Sequence, residues 1–385
     1  MRQLFFLLLA AAVLEGCSNG TNALSTSSDT GRVWLLTPFT KADNANPLIT
    51  PDPTQMFTCP ILQRPVRWEQ KDVFNPAAIV RGDSIILLYR AEDTVGRHAG
   101  TSRIGLAWSI DGSHFHKEAA PVFYPSNDNQ KKWEWDGGCE DPRIVQDSLG
   151  TYYMTYTAYD GDKARLFVAS STDLRHWTKY GSAFQQAYGG KYAAGWTKSG
   201  SIVSSYDKGG TPVATRINGK YWMYWGDQDI WLAQSDDLVN WLPVMDNRKQ
   251  DSMERRGIAA GYPELKVVFA PRAKKFDSDL VESGPPAMIT PDGIVLIYNG
   301  RNTRSIGDTS LAEGTYSGGQ VLLDRNDPSK VIDRLEQHFI SPDKPYEITG
   351  QVNQVCFLEG LVRFKGQWFL YYGTADSRIA VATAK

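Results

Sequence analysis

The chain has 385 residues, 42% of them hydrophobic, which allows one large or two medium domains with a sizeable core. Its formal net charge of −2 gives no basis for a nucleic acid or an anionic membrane surface as partner. Five histidines without an H-x-x-x-H or H-E-x-x-H pattern argue against a zinc enzyme, and neither a metal nor another cofactor is expected.

The chain opens as a targeting segment. Met1-Arg2-Gln3 is a short basic start, and Leu4 to Leu14 is an apolar run too short to span a bilayer. Leu14-Glu15-Gly16-Cys17 then resembles a bacterial lipoprotein cleavage site, although Glu15 is unusual there. Residues 1–17 read as a leader ending at a lipidated Cys17, and residues 18–32 as a polar, flexible tether. The expected location is outside the cytoplasm, facing the periplasm or cell surface, with the lipid as the only link to a membrane. Cys59, Cys139 and Cys356 remain, an odd number at spacings of no metal motif; either three free thiols or one disulfide through Cys59 fits.

From residue 33 to 385 short aromatic or β-branched runs alternate with Gly, Asp, Asn and Pro turns, the pattern of a single all-β domain. A unit recurs: a strand, a tight turn with Gly, an aromatic strand, then a third strand. The copies begin at Ala77–Val80, Arg143–Val145, Val213–Thr215, Ala287–Ile289 and Leu361–Arg363. Their turn glycines, Gly82, Gly150, Gly219, Gly293 and Gly366, recur about every 70 residues, which predicts a five-bladed β-propeller. Residues 33–74 are expected to supply the missing strands of the ring, and residues 199–212 read as an insertion. Asp173 with Trp177 and Asp237 with Trp241 close two copies and read as structural outer turns.

Blade innermost strands line the central channel, so the residues at their starts are informative. Here those starts carry Asn75-Pro76, Glu140-Asp141-Pro142, a Lys198 loop, Glu282-Ser283-Gly284-Pro285-Pro286 and Glu359-Gly360. The following strands end in Arg90 to Asp93, Tyr159-Asp160, Asp227 to Asp229, Asn299 to Arg301 and Asp376. Carboxylates thus converge with Arg, Lys and aromatics at one end of several blades. Trp133 to Ile144, W-E-W-D-G-G-C-E-D-P-R-I, adds flat rings that stack on sugar faces. The combination points to a carbohydrate site.

Asn75-Pro76, Arg90, Ser109-Ile110-Asp111-Gly112, Glu140-Asp141-Pro142-Arg143, Gly284-Pro285-Pro286, Tyr346-Glu347 and Tyr371-Tyr372-Gly373-Thr374-Ala375-Asp376 resemble glycoside hydrolase family 130 over roughly residues 60–385. The resemblance implies a five-bladed propeller acting on β-mannosides, as phosphorylase or hydrolase. It implies Asp141 as general acid, acting through the 3-hydroxyl of the bound mannose. It implies Asn75, Arg90 and Asp376 as residues that hold that mannose; Asp93 and Lys198 join them as substrate-binding candidates. For Arg143, orienting Asp141, contacting sugar and pairing with a neighbouring acid stay open.

The two activities differ in the nucleophile. A phosphorylase must hold a phosphate anion and so needs positive groups. The family's phosphorylases carry a His-Arg pair at the end of the third-blade strand, where this chain reads Trp225-Gly226-Asp227-Gln228-Asp229. Acids there suit activation of water in an inverting hydrolase. Glu282, Asp227 and Glu359 are the candidates for the base, Glu282 first because a Gly-Pro-Pro turn soon follows it. The reading is an exported, inverting β-mannosidase, with β-1,2 linkages favoured. A β-mannoside phosphorylase is the alternative, and a lipid-anchored glycan-binding protein without turnover is the alternative from another class.

Overall fold

The structure, a computed structural model, describes residues 32–36, 38–96, 100–246, 262 and 264–385. The leader, Cys17 and the tether up to residue 31 lie outside the described residues. Trp34–Lys385 is one compact unit, and its regular secondary structure is almost wholly β-strand.

Five antiparallel sheets follow one another along the chain. The first runs Asp72–Arg81, Ser84–Glu92, Ser102–Ser109 and His116–Lys117. The second runs Gly138–Gln146, Tyr152–Tyr159, Ala164–Ser171 and Thr178–Ser182. The third runs Ser201–Ile202, Tyr221–Trp225, Ile230–Ser235 and Trp241–Pro243. In the fourth, Leu280–Ser283 and Met288–Ile289 both pair Ile294–Arg301, followed by Tyr316–Leu323 and Val331–Arg334. The fifth runs Cys356–Phe364, Gln367–Thr374 and Arg378–Ala384, and its fourth strand is Thr40–Lys41 from the other end of the chain. Of residues 33–74, Thr40–Lys41 thus completes the last sheet, while Phe57–Cys59 and Arg64–Val66 pair with each other.

The leading strands are apolar almost throughout because both of their faces are covered: nine of the ten residues in Asp72–Arg81 are buried. Neighbouring sheets also touch at and beside these strands. Asn75 reaches Asp141, Thr155 Oγ1 donates to Gly200 O (2.7 Å), and Ser201 Oγ donates to Pro285 O (2.7 Å). Asn299 holds Leu358 through both its amide groups (2.7 and 3.1 Å). Gly360 lies against Pro76, where a Cβ would stand 2.6 Å from the carbonyl oxygen, so only glycine fits.

One electrostatic clamp recurs in four sheets. An acid before the leading strand accepts from a tyrosine hydroxyl of the second strand and pairs with a cation of the fourth. The sets are Glu69 with Tyr89 (3.0 Å) and Lys117 (2.6 Å), Glu134 with Tyr156 (2.8 Å) and Lys179, Asp277 with Tyr298 (2.8 Å) and Arg334, and Glu347 with Tyr372 (2.8 Å) and Lys41 (2.7 Å). All four acids are fully buried. In the third sheet the corresponding place is apolar, with Trp225 against Phe184 and Trp231.

The Ser-x-Asp turns are structural, as expected. Ser171 Oγ accepts the Leu174 amide (2.8 Å), Asp173 accepts those of Arg175 and His176 (both 2.8 Å), and the Trp177 indole closes on Leu174 O (3.2 Å). Ser235, Asp237 and Trp241 repeat this.

The third copy corrects the sequence reading. Val213–Thr215 is not its leading strand: Ser201–Ile202 is, pairing Tyr224 and Met223. Ser204–Tyr206 and Pro212–Ala214 form a hairpin that joins the second sheet at Gln146 and the fourth at Met288. The inserted piece thus begins after the short leading strand rather than before it. Cys59, Cys139 and Cys356 are free and buried.

Candidate active site

The leading strands share a defect at one level. In the first sheet the register slips between Phe74 and Pro76, in the second between Glu140 and Arg143, and in the fifth between Leu358 and Gly360. Each slip extrudes one side chain: Asn75 (φ 47°), Asp141 (φ 45°) and Glu359. In the third sheet Ser199 (φ 60°) takes the same place, after Lys198 O has accepted the Gly226 amide. Pro76, Pro142 and Gly360 follow the extruded residues because proline has no N–H for the ladder and glycine fills no space. Bulges of this kind re-aim side chains out of the pleat.

Asp141 is the hub. Its Oδ1 accepts from Asn75 Nδ2 (2.9 Å) and Arg90 Nη1 (3.1 Å), and its Oδ2 from Lys198 Nζ (3.2 Å). Burial pushes this carboxyl up, but Lys198, Arg90 and the Asn75 amide outweigh it and hold it below the usual carboxylate range. Arg90, stacked 4.6 Å above the Phe74 ring, also binds Glu92 Oε1 (2.6 Å) and Glu140 Oε1 (2.9 Å). Lys198 lies 3.2 Å from Glu282 Oε1 as well, so its ammonium bridges Asp141 and Glu282. Burial opposes that charge, yet Glu282 and Asp141 hold it well above the ordinary lysine range.

The other acids are less fully neutralised. Burial, reinforced by Asp141 and only partly opposed by Arg90, pushes Glu140 and Asp376 each up to about 7. Asp227 is half-buried, accepts from the Trp196 indole N–H (2.8 Å), and is raised by burial and by Glu282 against Lys198. Glu359 is wholly buried; burial holds it well above its ordinary range although Arg143 Nη1 stands 3.2 Å away. That contact lacks hydrogen-bond geometry, and both Glu359 oxygens are without a hydrogen-bond partner.

Asn75, Arg90, Asp141, Lys198, Glu282, Asp227, Asp376 and Glu359 are thus drawn into one electrostatic cluster. Arg143 spends its guanidinium on the carbonyls of Gly284 (2.9 Å), Ser283 (2.6 Å) and Asp141 (3.3 Å), tying the second sheet to the fourth. Asp93 stands apart from the cluster. Its carboxylate accepts the Val95 and Thr101 amides (2.9 and 2.8 Å) and pairs with Arg103 (2.6 Å), and so organises its own loop. Sequence reasoning assigns no role to Glu140, Glu92, Ser199 and Trp196. Ser199 donates to Glu282, and Glu92 anchors both Arg90 and Lys71. Glu140 and Glu92 adjoin assigned residues, so the repeating positions of acids could have pointed to them; nothing in sequence links Ser199 or Trp196 to its acid.

A family model described as beta-1,4-mannooligosaccharide phosphorylase matches residues 39–385. The chain belongs to glycoside hydrolase family 130. A 1,2-beta-oligomannan phosphorylase from Thermoanaerobacter is 32% identical over 82% of this chain and 90% of its own length. A glycosyl hydrolase from Bacteroides ovatus superposes with a TM-score of 0.84 at 44% identity, covering 91% of this chain and 95% of that one. Another solved structure has a TM-score of 0.85 at 45% identity, covering 92% and 95%. It is described with the statement that the family of mannoside phosphorylases contains glycoside hydrolases that target beta-1,2 mannosidic linkages in Candida mannan. The chain is accordingly an enzyme of a family acting on β-mannosides.

Proposed function

We propose that this family 130 enzyme is an exported, inverting β-mannosidase that hydrolyses β-1,2-linked manno-oligosaccharides, built as a closed five-bladed propeller. The observation that carries the choice of hydrolysis is the state of the cations. Arg90 is bound by Glu92, Glu140 and Asp141, Lys198 by Asp141 and Glu282, and Arg143 by carbonyls and Glu359. Among the described residues of the cluster, carboxylates outnumber cations, and a phosphate would meet repulsion. The successive contacts between neighbouring sheets, from first to fifth and back to first, support ring closure.

Asp141 is the proton donor in this reading. It reaches the neutral form once bound sugar separates it from Lys198 and Arg90, which removes the charges that depress it. Asp227 is the base that best fits. It is partly exposed to solvent, and burial and Glu282 raise its affinity for protons. Glu282 is committed to Lys198 and Ser199, and its Oε1 lies at most twice 3.2 Å from Asp141 Oδ2, at the short limit for a water between them. Glu359, wholly buried, is closed off from solvent. Export rests on the leader and Cys17.

Phosphorolysis is the second reading, favoured by the names of the 32% and 30% identical relatives, both phosphorylases. Incubation with β-1,2-mannobiose decides between them. Mannose released first as the α-anomer in phosphate-free buffer is expected; mannose 1-phosphate formed only with phosphate would overturn hydrolysis.

A further inference from the structure

We propose that Trp196 gives this site its leaving-group specificity: its open ring face receives the sugar on the departing side, while its indole N–H positions Asp227. The proposal rests on the β-mannosidase reading with Asp227 as base. Trp196 is 39% exposed although it stands two residues before the buried Lys198. A large exposed ring is usually loosely held, but this one is anchored at its indole nitrogen, and the backbone that carries it is anchored as well. Its Nε1 donates to Asp227 Oδ2 (2.8 Å), and its carbonyl accepts from the Tyr262 hydroxyl (3.2 Å). The next residue, Thr197, is pinned to the second sheet at Ala164 O (3.0 Å) and at the Leu166 amide (2.9 Å).

The preceding Gly195 lies so close to Tyr262 that a Cβ would come within 2.0 Å of its hydroxyl. Glycine at 195 therefore lets the backbone in close, and the Trp196 side chain keeps its exposure. A preorganised flat ring beside carboxylates is what the apolar C–H face of a pyranose meets at small entropic cost. Among the described residues, Trp196 belongs to none of the buried core clusters. The N–H bond has a separate consequence. Asp227 faces Lys198, Glu282 and Tyr262, and of the groups around it the indole is a neutral donor that favours the carboxylate. Trp196→Phe keeps the ring and removes the donor; Trp196→Ala removes both.

Titration calorimetry with mannose and β-1,2-mannobiose, on an Asp141→Asn background that blocks turnover, separates the two sides of the site. Mannobiose is expected to bind more tightly than mannose, and adding Trp196→Ala is expected to remove that advantage, about tenfold, leaving mannose binding unchanged. Trp196→Phe should keep the advantage. As a single change in active enzyme, Trp196→Phe should lower kcat at unchanged KM and move the acidic limb of the pH–rate profile to higher pH. An undiminished mannobiose advantage in the Trp196→Ala protein would overturn the stacking role. An unaltered kcat and acidic limb in Trp196→Phe would overturn the positioning role. Failure of both sugars to bind the Asp141→Asn protein would instead overturn the mannoside reading itself.

Discussion

Asp141 stays charged where burial alone would neutralise it, because three donors converge on two oxygens. Asp141→Asn should reduce kcat at least about a hundredfold, the usual scale for a lost general acid, with an unaltered far-ultraviolet dichroism spectrum. Asp227→Asn should cost a similar factor, about a hundredfold, and added azide should restore turnover by attacking where water did, forming α-mannosyl azide. Glu282→Gln, which releases Lys198, should not respond to azide. Glu140 and Asp376 give a pH signature. Each titrates near 7 in the fold against ordinary values of 4.5 and 3.8. Between those limits the folded chain binds more protons than the unfolded one, so stability falls as pH rises from about 4 to about 7. Asp141 acts oppositely, supporting the fold above 3.8 and losing that support only as pH falls below it. Melting temperatures across pH 4–8 should therefore decline towards neutrality, and Glu140→Gln with Asp376→Asn should flatten the decline.

At the scale of elements, two repeated devices organise the molecule. The bulges at Asn75, Asp141 and Glu359 turn polar side chains out of the leading strands. The tyrosine–acid–cation clamps lock four of the five entering loops to the second and fourth strands. Burial of Glu134 beside Tyr156 and Lys179 is tolerable only while all three partners are present. Lys179→Met should therefore destabilise by about 3–5 kcal/mol in denaturant titrations, and adding Glu134→Leu should recover most of the loss. A larger loss in the double variant would refute this account. The turn glycines and aromatic strands were readable in sequence because they are local. The clamps were not, since each acid meets a cation 45 to 57 residues away in three sheets and 306 away in the fifth.

The whole molecule depends on the joining of its two ends. Thr40–Lys41 pairs with Arg378–Ala384, Asn46 bonds Val381 through both N–H and C=O, and Trp34 reaches Asp333 (3.1 Å). Without this segment the last strand would present an open edge, a template for aggregation. A chain beginning at residue 48 should lose cooperative unfolding or aggregate on heating, whereas one beginning at residue 32 should melt like the full chain. Equal melting of the two shortened chains would show that the terminal strand adds nothing.

Composition, strand periodicity and glycine spacing determined the all-β class and the repeating unit, because these are properties of neighbouring residues. Motif residues such as Asn75, Asp141 and Asp376 were also legible, since each sits at a strand start or end within a short motif that resembles the family's. Tertiary structure alone decided the rest. It assigned Ser201–Ile202 as the third leading strand, because pairing with Tyr224 and Met223 outweighs the weak local pattern of a two-residue strand. It separated Asp93, satisfied by its own loop, from Asp227, left half-open beside Trp196. The charge and reach of a carboxylate depend on which distant cations and donors surround it, and that is a consequence of packing rather than of sequence order.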